Sequence, residues 1–234
     1  MNLKAVLFDL DGTLLPMDQD IFVKAYFKGL AAKLAAHGYE SQKLLEVIWK
    51  GTGAMIKNDG SKRNEEVFWE VFCGAYGAEA EKERDFIEEF YRVEFQNVKS
   101  VCGCNPKAAE LRKKLKEAGY RVILATNPLF PPIATESRVR WAGLEPKDFE
   151  FITTYDNSRY CKPNLDYYRE ILKRQGLAAE ECMMVGNDVS EDMIARELGM
   201  DVFLLTDCLL NRENKDISAY PNGGFEELLA YLKL

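Results

Sequence analysis

Two carboxylates, Asp9 and Asp11, stand two residues apart in the stretch FDLDGTLL, directly behind the apolar run LKAVLF. In extended backbone that spacing points both side chains the same way. Their repulsion raises one carboxyl pKa unless a cation relieves it. A second acidic knot, VGNDVSED at 185–192, puts Asn187, Asp188, Glu191 and Asp192 at the end of another apolar run. Between the two lie Thr126 and Asn127, a hydroxyl and an amide, and Lys162, a compact positive charge before Pro163. Taken singly, each is explained by a turn or a helix start: Asp-Gly suits a turn, and acids suit the positive end of a helix. Together they supply what phosphoryl transfer needs. Paired carboxylates with few other protein ligands suit Mg²⁺, and a lysine and a hydroxyl can balance phosphoryl oxygens.

These residues must be brought together by the elements around them. Apolar runs at 3–8, 121–126, 149–154, 182–186 and 201–205 read as strands, and helical spacing at 106–118, about 131–142 and 164–175 fills the gaps. Strands alternating with helices predict an α/β fold, a Rossmann-like parallel sheet covered on both faces. Ligands of such sheets bind beyond the carboxyl ends of the strands. Asp9, Asp11, Gly12 and Thr13 follow the first strand and Thr126 and Asn127 the second. Lys162 follows the third, and Asn187, Asp188 and Asp192 the fourth. All four sets converge on one sheet edge.

The interval between the first two strands is far too long for a single crossover helix. Residues 16–97 carry helical patterns at 20–37, from Ser41 to a stop at Gly51, at 64–76 and at 79–95, with a connecting loop at 51–63. They read as a helical insertion into a core made of 1–15 and 98–234. A final helix is expected in FEELLAYLKL.

Composition excludes several classes of function. The chain of 234 residues carries a net charge of −7, against the basic surface that nucleic-acid binding requires. No apolar run approaches the ~20 residues that span a bilayer. The N-terminal stretch breaks at Asp9 and Asp11 and makes a poor signal peptide, so a cytoplasmic setting is expected. Six cysteines lack zinc-like spacing, and the single histidine, His37, sits at a helix end away from every motif.

The motifs FDLDGTLL, ATN, CKPN and GNDVSED, in this order, resemble those of the haloacid dehalogenase-like hydrolases, with the helical insertion similar to that family's C1-type cap. The resemblance implies that Asp9 is a nucleophile forming an aspartyl-phosphate. Asp11 would serve as general acid and then base, Thr126 would hold the phosphoryl group and Lys162 would balance charge. Gly12, Thr13 and Asn127 would contact substrate. Mg²⁺ would be held by the Asp9 carboxylate, the Asp11 carbonyl and the acids after strand four. An aspartate at position 11 is absent from the family's dehalogenase branch. The implied activity is therefore a Mg²⁺-dependent phosphatase of a small phosphorylated metabolite, with a phosphomutase or a binding protein without turnover as alternatives.

In this chain Asn187 stands where the family commonly has aspartate. Counting back from Asp192 selects either Asn187 or Asp188 as the direct metal ligand, and Asp188 is favoured because a carboxylate binds Mg²⁺ better than an amide. Asp192 would lie behind the metal, near Lys162, and Glu191 would face solvent. Substrate choice would be written in the cap, with the loop at 51–63 as its first candidate and Trp49 and Trp69 in the cap interior.

Overall fold

The computed structural model describes residues 3–234. Six parallel strands form one sheet: β1 (Ala5–Phe8), β2 (Arg121–Leu124), β3 (Phe151–Ile152), β4 (Cys182–Gly186), β5 (Asp201–Leu205) and β6 (Asn222–Gly223), in the order β3-β2-β1-β4-β5-β6. Period-two alternation explains why these near-continuous apolar runs form a sheet buried on both faces. Val6, Phe8, Val122, Leu124, Met183, Val185, Phe203 and Leu205 enter one apolar cluster. Their neighbours Ala5, Leu7, Ile123, Cys182, Met184, Val202 and Leu204 enter the other. The chain walks outward from β1 to β3 and then returns to place β4 on the other side of β1. The strand order therefore reverses between β1 and β4, where such sheets open a crevice.

Between β1 and β2 the chain forms α1 (Gln19–Ala35), α2 (Ser41–Ile56), α3 (Asn64–Tyr76) and α4 (Arg84–Arg92), followed by a 3₁₀ stretch, Glu94–Val101. α5 (Lys107–Glu117), α6 (Pro132–Trp141), α7 (Leu165–Gln175) and α8 (Phe225–Leu232) flank the sheet. Asp18 caps α1 by accepting from the Ile21 amide, and Asn164 caps α7 by accepting from the Asp166 amide. The inserted helices share the core's apolar interior: Phe22, Tyr26, Leu30, Trp69 and Phe72 lie in one cluster with the sheet residues Phe8 and Leu124. Among the described residues no helix is long and apolar enough to cross a membrane.

Several local expectations change. α2 runs through Gly51 to Ile56, because Gly51 packs where a Cβ would lie 2.7 Å from the Phe68 ring. Its cap is Glu40, whose carboxylate accepts from the amides of Gln42 and Lys43. The helix expected at 79–95 is broken into a 3₁₀ segment, α4 and a further 3₁₀ segment. The turn after β4 continues as a 3₁₀ segment from Met193 to Leu198. The short edge strand β6 has only two residues, too few for a periodicity to mark.

Candidate active site

Asp9 follows β1 directly, and its amide donates to the Val185 carbonyl at 2.9 Å. Its Oδ1 accepts from Lys162 Nζ at 2.9 Å, and Lys162 also donates to Asp192 Oδ1 at 2.6 Å. The lysine is wholly buried, with its ammonium between these two carboxylates. Burial alone would lower its pKa, but Asp192 and Asp9 outweigh that and raise it well above the ordinary value. Lys162 is therefore a fixed cation spanning the ends of β1 and β4. Asp192 is pushed the other way: burial lifts its pKa above the usual carboxylate range, while Lys162 opposes the rise.

Asp11 has a partner that motif reading missed. Arg138, 1% exposed on α6, places Nη1 on Asp11 Oδ2, and its guanidinium lies 4.3 Å from the centroid of the Phe130 ring. Asp11 Oδ1 is buried without a hydrogen bond. Burial raises the Asp11 pKa to about 6, Arg138 holds it down and Asp9 adds to the rise. Arg138 stands in α6, whose buried positions (Ala134, Thr135, Ser137, Arg138, Val139, Trp141) follow no clean stripe, so no pattern singled it out.

Thr126, 2% exposed, is held through its carbonyl by Thr153 Oγ1 at 2.6 Å and the Tyr167 hydroxyl at 2.9 Å. Asn127 donates from Nδ2 to Glu191 Oε2 at 3.0 Å, and its own Oδ1 is buried and unpartnered. Glu191 is accordingly half-buried over the sheet edge and does not simply face solvent. Burial lifts its pKa to about 7 against the pull of Lys162.

The two residues in question after β4 have different surroundings. The Asn187 amide is spent on both sides: Oδ1 accepts from Thr13 Oγ1 at 2.9 Å, and Nδ2 donates to the Cys208 carbonyl at 2.7 Å. Gly12, at φ +83°, lets this amide approach; a Cβ there would sit 2.3 Å from Asn187 Nδ2. Gly12 and Thr13 thus brace the turn after β1 against the turn after β4. Asp188 accepts through Oδ1 from the amides of Ser190 and Glu191, at 2.7 and 2.9 Å, and its backbone amide donates to Asp192 Oδ2 at 3.0 Å. Gly186 makes room for Asp192, since a Cβ there would lie 2.0 Å from Oδ2. Five carboxyl groups (Asp9, Asp11, Asp188, Glu191, Asp192) share this edge with the buried cations Lys162 and Arg138.

Above the edge, a cavity of about 600 Å³ runs from Asp11, Asn127 and Glu191 up to α1, α2 and α3. Trp69 is buried on its wall, but Trp49 is 54% exposed there, so it lies outside the cap interior expected for it. The segment expected to carry specificity, 51–63, divides. Its first half is helical, and its second half is a joint to the core. Arg159 Nη1 donates to the Gly60 carbonyl at 3.4 Å, and just beyond the segment, at the start of α3, the Asn64 and Glu65 amides donate to the Ser158 and Tyr155 carbonyls, both at 2.9 Å. Asn64, fully buried, also donates to the Pro128 carbonyl at 3.2 Å. Gly60 packs on Tyr160, whose hydroxyl oxygen would lie 2.0 Å from an added Cβ. His37 stacks on Phe86, and all six cysteines are free.

A family model described as haloacid dehalogenase-like hydrolase matches residues 3–199. The chain is 27% identical over 222 residues to a glyceraldehyde 3-phosphate phosphatase of Methanothermobacter thermautotrophicus, covering 92% of this chain and 91% of that protein. It is also 27% identical to a glyceraldehyde 3-phosphate phosphatase of Methanocaldococcus jannaschii, covering 99% of this chain and 97% of that one. Its fold is similar to the crystal structure of a HAD phosphatase from Thermococcus onnurineus, with a TM-score of 0.62 at 20% identity over 98% of both chains.

Proposed function

We propose that this chain, which belongs to the haloacid dehalogenase-like hydrolase family and is a hydrolase of phosphate esters, removes the phosphoryl group from a small phosphorylated metabolite by way of Asp9. The observation that carries this reading is the buried Lys162 bridge between Asp9 and Asp192, beside Thr126 and Asp11 at the strand-order reversal. The Asp9 carboxylate attacks phosphorus, and the bond to the leaving oxygen breaks as Asp11 delivers its proton there. Asp11, now a carboxylate, takes a proton from the water that attacks the aspartyl-phosphate, which frees inorganic phosphate and restores Asp9. A carboxyl group with a pKa near 6 suits both halves of that exchange. Thr126 and Lys162 face the phosphoryl oxygens, and Arg138 aims Asp11.

The donor set fits Mg²⁺: hard oxygens only, in a cluster of acids that outnumber their buried cations. The proposed ligands are the Asp9 and Asp188 carboxylates and the Asp11 carbonyl. The Asn187 amide, engaged at both ends, supports Asp188 over Asn187. When bound, Mg²⁺ supplies charge neutralisation between anionic Asp9 and the phosphate. Residues 16–97 serve as the cap over a core of 1–15 and 98–234, in a cytoplasmic setting. The test is phosphate release from a panel of phosphomonoesters. Turnover should vanish on chelation and return with Mg²⁺, and Asp9→Asn should fall to background while its far-UV circular dichroism stays unchanged. Wild-type turnover by Asp9→Asn overturns the nucleophile.

A further inference from the structure

The cavity above Asp11 is walled by hydrocarbon. Phe27, Ile48, Phe68, Phe72 and Phe130 line it; of the charged residues on its wall, Asp11 and Glu191 stand at the sheet edge, and Asp20, Lys24 and Arg212 are exposed to water at its rim. Deeper inside, the hydroxyls of Tyr26 and Tyr91 bond to one another at 2.8 Å, so neither depends on a ligand for its partner. Above the sheet edge the remaining polar groups are few, chiefly Thr52, the Tyr155 hydroxyl and the unpartnered Trp69 Nε1, so a second phosphate or a row of sugar hydroxyls seated there would lose more water contacts than these could replace. At the mouth, Trp49 and Ile56 of α2 are 54% and 44% exposed. They lie seven positions apart, two helical turns on one face, and both line the cavity. Apolar side chains left in water beside an apolar cavity open to a reacting carboxyl group mark a surface that a ligand covers.

We propose that the leaving group of the substrate is an apolar alcohol, so that the enzyme hydrolyses the phosphate monoester of an alkyl or aryl alcohol with its carbon skeleton held between α1, α2 and α3. This rests on the phosphatase reading above. About 600 Å³ is the size of pocket that encloses such a ligand. The phosphoryl end meets Asp9, Asp11 and Lys162, and the carbon chain runs toward Trp49.

The experiment measures kcat/KM of the Mg²⁺-replete protein for methyl, butyl and hexyl phosphate, beside glycerol phosphate and inorganic pyrophosphate. The proposal expects kcat/KM to rise about threefold to fourfold for each added methylene and hexyl phosphate to exceed both polar substrates. Trp49→Ser, at a 54% exposed position, should lower the hexyl-to-methyl ratio at least tenfold while thermal unfolding still shows a folded variant. A flat or falling series, a preference for glycerol phosphate or pyrophosphate, or an unmoved ratio in Trp49→Ser overturns the apolar leaving group and leaves the phosphatase standing. Turnover of none of the esters overturns both.

Discussion

Arg138 and Lys162 are both buried cations facing carboxylates, yet their neighbours set them different tasks. Lys162 is shared by Asp9 and Asp192, so its charge also holds two strand ends together. Arg138 meets a single carboxylate, Asp11, and packs on the Phe130 ring, and it opposes the rise that burial imposes on the Asp11 carboxyl. Removing the guanidinium without leaving a hole should therefore raise the Asp11 pKa further. Arg138→Met should move the alkaline limb of kcat/KM upward by about 1 pH unit, because the proton needed by the leaving group is then kept to higher pH. A pH–rate profile of the variant checks this, and a limb that stays near 6 would mean that Asp11 does not feel Arg138. The acids, the hydroxyl and the lysine were legible in the sequence because each lies in the segment that leaves the carboxyl end of an apolar strand. Arg138 was not, because a basic residue inside a helix looks the same whether it faces water or a carboxylate.

Gly186 and Gly74 lie in regular elements, and the structure separates them sharply. At Gly186, the last residue of β4, an added Cβ would collide with the Asp192 carboxylate that holds Lys162. Gly186→Ala should lower stability by about 1–3 kcal/mol through overpacking and reduce kcat steeply, since Asp192 must move. At Gly74 in α3, nothing lies within 4 Å of the added carbon. Gly74→Ala should stabilise by about 0.5–1 kcal/mol through helix propensity alone. Thermal unfolding and turnover of the two variants, side by side, check both expectations. A stable and active Gly186→Ala would show that Asp192 can hold Lys162 from elsewhere. The elements themselves were largely legible: 64–76 and 182–186 carry the helix and strand that their periodicity predicts. Where expectation slipped, as at Gly51, a distant aromatic ring decided whether glycine ended the helix or packed inside it.

The molecule gathers five carboxyl groups, buried or half-buried, at one edge, and stability should register that crowding. Burial first of all raises Asp11 and Glu191, to about 6 and about 7, and lifts Asp192 in the same direction. The folded chain therefore binds more protons than the unfolded chain between the ordinary carboxylate range and about pH 7. Stability from these groups is complete at low pH and is lost as pH rises through the raised values. The metal-free protein should lose on the order of 2 kcal/mol between pH 5.5 and pH 7.5. Mg²⁺ should restore more of it at pH 7.5, where the carboxylates are ionised, than at pH 5.5. Thermal melts at both pH values, with chelator and with Mg²⁺, measure this, and a flat metal-free profile would show that the carboxyls are not crowded as the geometry implies.

By itself the sequence determined the fold class, since strand and helix periodicities are local and survive without knowledge of partners. It also determined which polar residues lie at the ends of strands, because a strand's end is marked by the residues that break it. Only the tertiary structure decided how those residues are spent. Arg138 meets Asp11 across 127 positions and Asn187 meets Thr13 across 174. The segment after α2 turned out to be a joint to the core, and an apolar hollow formed where three helices meet the sheet edge. The physical reason is that a side chain's partner and its burial depend on what the fold packs against it, and separations of that length leave no trace in local pattern.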